Sequence, residues 1–269
     1  MSLDLDAYFA RIGYAGPRTP SFATLAEIQR RHICAIPFEN LDVLLGRPIQ
    51  LDLAAIEQKL VHQRRGGYCF EQNALLRAAL TGLGFPVRSL IARVRWQVPA
   101  DTDTAKTHMV LSVDVEGRPH LVDGGFGSAS LGAPLALDNE GEQPTPYEPR
   151  RVIERAGLKV QQIKVADEWA DLYVFDQRPA LAVDYEAANW FTSTFPQSRF
   201  VQNLVCARAF DGGRFTLLNR EFTTRWIDGR VEKRELTTPD ELLDVLADAF
   251  TLRFPPGTRF GTPGSAWPS

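Results

Sequence analysis

The sequence predicts an α+β protein, and three observations carry the prediction. Apolar residues recur at helical spacing through the first third of the chain. They alternate at strand spacing through the middle third. Short strand-like runs then fill the last third ahead of one well-marked helix.

The elements follow in order. Thr24-Leu-Ala-Glu27 has capping-box spacing ahead of Ile28 and Ile33, which predicts a helix start. Leu53 to Arg65 forms a second helical pattern. Its last turn holds His62, Arg64 and Arg65, which suits the negative end of a helix, and Gly66-Gly67 is expected to stop it. A third helix is expected from about Phe70 to Leu83, closed by Gly84 and Pro86. Leu90, Ala92, Val94 and Trp96 then alternate with Ile91, Arg93 and Arg95 as a strand. His108 to Val115 and Pro119 to Asp123 read as a hairpin about Glu116-Gly117. Gly124 to Pro134 is loop. Residues from Arg151 to Asp184 are expected to be further strands, and Tyr185 to Asn203 reads as less regular chain. Short strands follow around Val205–Phe210, Arg214–Leu218, Phe222–Ile227 and Val231–Leu236. Thr238-Pro-Asp-Glu241 opens the closing helix with a capping Thr and Pro at its first position. The tail after Pro255 is rich in Gly and Pro and is expected to be irregular.

Composition excludes several classes of function. The 269 residues are 44% hydrophobic and 23% charged, with a formal net charge of -3. That balance offers no field for nucleic acid, and Arg30-Arg31 and Arg64-Arg65 are too short to form a basic footprint. No apolar run reaches the ~20 residues that span a bilayer, and the N-terminus lacks the pattern of a signal peptide. Cys34, Cys69 and Cys206 are scattered and odd in number, which fits a reducing cytoplasm rather than a disulfide framework. No Cys-x-x-Cys or His-x-x-x-His pair suggests a metal site.

Cys69 stands out by position. It lies between a Gly-Gly-Tyr turn and a helix start, where free N–H groups and the helix dipole favour thiolate over thiol. The same N–H groups could hold the oxyanion of an acyl transfer, and the glycines would let backbone and substrate approach closely. An inert buried cysteine fits the same position. Cys34 and Cys206 lie in apolar patterns and read as core residues.

A base must come from four histidines. His32 shares a helix face with Leu25 and Ile28 and reads as a satisfied core residue. His62 suits a helix end, and His120 a solvated strand. His108 shares a strand face with Val110, so its ring lies on a packed face and needs a partner. If Glu116-Gly117 is a two-residue turn, Val115 faces Arg118 and Val110 faces Asp123. His108 is then the diagonal neighbour of Asp123, about 7–8 Å away between backbones. A slip of one residue would put them on opposite faces. Cys69, His108 and Asp123 thus form a candidate triad, with the aspartate fixing the histidine tautomer. Asp123 also suits a simple turn before Gly124-Gly125. The loop Gly124-Gly-Phe-Gly127 is a weak nucleotide signal, because no Gly-Lys-Ser/Thr follows.

Four segments together resemble the arylamine N-acetyltransferase family: Ile36-Pro-Phe-Glu-Asn-Leu-Asp-Val-Leu-Leu45, Arg65-Gly-Gly-Tyr-Cys-Phe-Glu-Gln-Asn73, Thr107-His-Met-Val110 and Leu121-Val-Asp-Gly-Gly-Phe-Gly127. The resemblance implies that Cys69, His108 and Asp123 are catalytic. It implies a helical bundle at 1–86, a β-barrel-like domain at 87–190 and an interdomain segment with an α/β lid at 191–269, around a cysteine-protease-like core. It further implies acetyl-CoA as cosubstrate with no tightly bound cofactor or metal, and arylamines, arylhydrazines or arylhydroxylamines as acceptors. Thr107, Gly125, Phe126, Gly127 and Ser128 are the expected acetyl-CoA contacts. Phe38, Val94, Phe126 and Phe200 are the expected acceptor contacts. The chain departs from the family in having Gly124 where a β-branched residue is usual, and in a loop to Pro134 without an earlier proline. A cysteine hydrolase or transglutaminase-like enzyme would use the same three residues.

Overall fold

Capping side chains start the helices of the first part. The computed structural model describes residues 2–99, 101–262 and 265. The Asp4 carboxylate accepts from the Ala7 N–H and opens α1 (Leu5–Ile12). Ser21 accepts from the Thr24 N–H and opens α2 (Phe22–Ala35). The helix therefore begins three residues before the expected Thr24 cap. Glu27 does not reach back to a cap but pairs forward with Arg30 and Arg31. After β1 (Phe38–Glu39) and α3 (Leu41–Leu44), Asp52 caps α4 (Leu53–Glu57), which runs on as a π-helical turn over Gln58–His62.

The second helical pattern thus ends at His62, not Arg65. The left-handed residue after it is Arg64, with φ 54°. Gly66 and Gly67 serve a different need. A Cβ on Gly66 would sit 2.1 Å from the Pro37 carbonyl oxygen, and one on Gly67 would sit 2.6 Å from Glu71 Oε2. The close approach is to the protein's own backbone and carboxylate. It lets the chain enter α5 (Cys69–Gly82).

The middle of the chain is an antiparallel sheet of β2 (Val87–Val94), β3 (Lys106–Val115), β4 (Arg118–Val122), β5 (Leu135–Ala136), β6 (Arg150–Arg155), β7 (Leu158–Val165) and β8 (Glu168–Phe175). Its order is β5-β4-β3-β2-β8-β7-β6. Gln143 draws the two edges together into a nearly closed barrel. Its backbone exchanges hydrogen bonds of 2.7 and 3.1 Å with Arg150, while its side-chain amide bonds the N–H and carbonyl of Ala136 at 2.8 and 3.1 Å. An edge strand's unpaired groups are thereby covered. Leu90, Val110, Leu121, Val152, Ile163 and Leu172 fill one side of the sheet. Met109, Leu111 and Val113 pack with Leu75, Leu76 and Leu80 of α5 on the other.

Strands end at Phe175 and do not continue to Asp184. A helix, α6 (Ala182–Thr194), replaces the expected irregular stretch and crosses the expected boundary at 190/191. A short α7 (Arg199–Gln202) leads to β9 (Val205–Phe210), β10 (Gly213–Leu218), β11 (Glu221–Trp226) and β12 (Val231–Glu235). These form a second sheet, order β1-β9-β10-β11-β12, whose first strand comes from the helical part. Helix α8 (Pro239–Asp248) carries the expected Thr cap, completed as a capping box: Thr238 Oγ1 accepts from the Glu241 N–H, and Glu241 Oε2 accepts from the Thr238 N–H. Its buried Leu242, Val245 and Leu246 pack on Leu204, Cys206 and Leu217.

Candidate active site

Cys69 is the first residue of α5 and is buried. Its position is held from behind by charge. Glu71 Oε2 accepts from the Tyr68 N–H at 3.1 Å, and Glu71 Oε1 pairs with Lys59 Nζ at 2.7 Å. Lys59 also pairs with Asp42 at 2.8 Å, and Arg65 joins Glu39 and Asp42 at 2.7 and 3.2 Å. Each buried charge has an opposite partner, as burial requires. The Cys69 thiol lies 3.5 Å from the Thr107 carbonyl oxygen of β3, so the helix start docks directly on that strand.

The β3–β4 hairpin turns on Glu116 and Gly117 with φ of 54° and 77°, the left-handed pair that matches strand twist. Val115 faces Arg118 and Leu111 faces Val122. One step further along this register sets Val110 against Asp123. His108 therefore meets Asp123 on one face, with Nε2 at 2.8 Å from Oδ2. A carboxylate only accepts, so Nε2 carries the proton.

Asp123 is fully buried and its second oxygen, Oδ1, accepts from Asn73 Nδ2 at 3.0 Å and the Gly125 N–H at 2.9 Å. Burial pushes its pKa up, but His108 and these donors outweigh that and hold it below the usual carboxylate range. Burial pulls the His108 imidazole down. The charge and hydrogen bond of Asp123, assisted by Cys69, outweigh it and lift the pKa to about 10. The ring's other nitrogen is left for Cys69. Phe126 and Tyr173 close on the ring, with centroids 5.2 and 4.9 Å from it.

The other histidines and cysteines lie elsewhere. His32 is buried between the Tyr8 hydroxyl and Gln72 at 2.9 and 2.7 Å. His62 stays at its helix end, 3.8 Å from Glu57. His120 is not solvated, as its strand position had suggested. It is buried beside Phe22, with Nδ1 against the Arg118 carbonyl, because the hairpin packs on the start of α2. Burial raises the thiol pKa of both Cys34 and Cys206. His32 also explains Gly124: a Cβ there would lie 3.0 Å from His32 Cδ2 and 3.2 Å from Leu76 Cδ2, so the imidazole occupies the space of a β-branched side chain.

Cys69 and His108 open onto a cavity of about 130 Å³. Thr107, Gly125, Phe126, Gly127 and Ser128 line it, as do Phe38, Val94 and Phe200. All the expected contact residues therefore converge here, with Asp123 behind His108. Trp96, Arg199 and Val205 also line it and were missed, although Trp96 is the alternation partner of Val94. Asn73 was missed too, although it lies one helical turn beyond Cys69. The cavity shares Trp96, Ser128, Arg199 and Val205 with a larger cleft of about 520 Å³, which also presents Lys164, Arg214 and Arg225. Among the described residues no group of three or more His, Cys, Asp or Glu is placed to hold a metal, and no helix is long and apolar enough to cross a membrane.

Known proteins match both the sequence and the fold. The N-acetyltransferase family model matches residues 21–257. The arylamine N-acetyltransferase / N-hydroxyarylamine O-acetyltransferase of Salmonella typhimurium is 40% identical over 253 residues, 94% of this chain and 90% of that one. The arylamine N-acetyltransferase structure from M. tuberculosis superposes with a TM-score of 0.89 at 39% identity, over 92% of this chain and 93% of that one. The Mycobacterium marinum enzyme in complex with CoA superposes with a TM-score of 0.89 at 40% identity, over 92% of each chain. The chain belongs to the arylamine N-acetyltransferase family.

Proposed function

We propose that the protein transfers the acetyl group of acetyl-CoA to the nitrogen of an arylamine or arylhydrazine, or the oxygen of an arylhydroxylamine, through an acetyl-Cys69 intermediate. The observation that carries this is the buried His108, bonded to Asp123 through Nε2 and lining the same small cavity as Cys69. That is the order of roles in a nucleophile–base–orienter triad.

The sulfur of Cys69 attacks the thioester carbonyl. The C–S bond to CoA breaks, and His108 supplies the proton with which CoA leaves as a thiol. The amine then attacks the acetyl-cysteine carbonyl, His108 takes its proton, and Cys69 is regenerated. The cavity walls of Phe38, Val94, Phe126 and Phe200 suit an aryl ring and limit water at the thioester. The segment 125–128 runs from this cavity into the larger cleft. There Arg214, Arg225 and Lys164 offer positive charge for the phosphates of the donor. The M. marinum relative was solved with CoA, which supports this choice of donor.

The test is mass spectrometry after mixing with acetyl-CoA alone. One acetyl group on the Cys69 peptide is expected, discharged by an added aniline. Peptide cleavage or hydrolysis without acetyl transfer would favour the hydrolase reading.

A further inference from the structure

The segment that joins the small cavity to the cleft is held by a side chain that touches neither. Arg150, on β6, is 1% exposed and lines neither space. Its Nη2 donates to the Ala129 carbonyl at 3.0 Å and to the Ser130 carbonyl at 3.5 Å. Glu148 Oε2 lies 3.5 Å from the same nitrogen. Glu148 in turn pairs with Arg214, whose Nη1 donates to the Ser128 carbonyl at 2.7 Å. Three consecutive carbonyls, 128 to 130, are therefore fixed by two arginines that share one carboxylate. The next, Leu131, accepts from Gln29 Nε2 at 2.7 Å.

A buried guanidinium is costly for the fold. Arg150 Nε and Nη1 have no hydrogen-bond partner, and an apolar side chain of similar size is often as stable at such a site. Its contribution is geometric: a rigid planar head whose Nη2 one buried strand aims at two loop carbonyls. We propose that Arg150 is a positioning residue that sets segment 128–130 for the nucleotide end of acetyl-CoA. This rests on the acetyl-CoA reading above. The clamp grips the cleft end of the segment, while Gly124 and Gly125 at the cysteine end are held separately through Asn73 and Asp123. Loss of the clamp therefore acts on the distant part of the donor and not on the thioester chemistry.

The experiment compares acetyl-CoA with S-acetylpantetheine, which has the same thioester and arm but no nucleotide. Arg150→Lys keeps the charge and loses the planar guanidinium, and Arg150→Met loses both. For each variant that retains the wild-type circular dichroism, half-maximal acetylation is expected to need at least about tenfold more acetyl-CoA. Acetylation of Cys69 by S-acetylpantetheine is expected to stay within about twofold of wild type. Arg150→Lys keeps the test available should Arg150→Met not fold. A parallel fall with both donors, or an unchanged requirement for acetyl-CoA, overturns the proposal. Failure of wild-type Cys69 to take an acetyl group from either donor overturns the covalent reading and this one with it.

Discussion

Replacing Asp123 by Asn tests the geometry of the site most sharply, because the substitution keeps shape and changes only charge and donor pattern. In the native site Oδ1 receives two N–H groups, from Asn73 and Gly125, at 3.0 and 2.9 Å. An asparagine must keep its oxygen there, since its NH2 group cannot accept from two donors. The new amide nitrogen then faces His108 Nε2, where Oδ2 stood at 2.8 Å. Two donors cannot share that contact, so the imidazole must turn Nε2 into an acceptor and carry its proton on Nδ1. That nitrogen can no longer take a proton from Cys69 or from the incoming amine. The charge is lost as well. Asp123, assisted by Cys69, holds His108 against burial at about 10, above its ordinary 6.5, and so favours imidazolium. Without it, burial lowers the pKa below the ordinary value. The expected result is a fall in acetyl transfer of up to ~10⁴-fold, as in a serine triad with the wrong tautomer. Single-turnover acetylation of Cys69 measures the rate, and the nitrogen shifts of His108 in NMR report the tautomer. Unchanged turnover in a correctly folded variant, or an Nε2 that stays protonated, would refute the reasoning.

Cys69→Ser should lower acetyl transfer by on the order of 10⁴-fold or more while leaving circular dichroism unchanged, because the hydroxyl is nearly as large but far harder to deprotonate. Substantial retained activity would remove Cys69 from the mechanism. Gly125→Ala would place a Cβ 2.8 Å from the Cys69 Cα, a backbone atom that cannot swing aside. A loss of about 1–3 kcal/mol in urea unfolding is expected, together with reduced Cys69 acetylation, and a variant matching wild type in both would show that α5 and the loop move apart easily. Stability should also depend on pH through His108. Its folded pKa is raised from 6.5 to about 10, so its contribution is fully present below about 6.5 and is lost as pH rises through about 10. Urea unfolding at pH 7, 9 and 10.5 should show this decline in wild type and not in Asp123→Asn. Equal slopes would separate stability from the pair.

Much of the local structure was legible because its causes are local. Gly84 closes α5, and Thr238 with Glu241 opens α8, through bonds between near neighbours in sequence. Glu116-Gly117 sets the hairpin register, and the register alone brings His108 and Asp123 to one face, since side chains alternate with period 2. The helix α6 escaped this logic. Its buried Tyr185, Ala188 and Thr192 are interleaved with exposed Val183 and Trp190, so no single apolar stripe marks it. Its start is bonded by Asp184 to the Leu181 N–H rather than by a Ser or Thr cap.

By itself, then, the amino-acid order determined the type of many helices and strands but not of α6, together with the turn between β3 and β4 and a cysteine at a helix start. Only tertiary structure decided what those pieces face. The docking of α5 on β3 brings Cys69 to Thr107, the side chain of Asn73 ties Asp123 to the Met109 carbonyl, and Gln143 closes the barrel. His32 fills the space beside Gly124, and Arg150 on β6 reaches the Ala129 carbonyl. All but the Gln143 contact join residues far apart in sequence. Their pairing depends on shape and charge complementarity between finished elements, which no local period or spacing encodes.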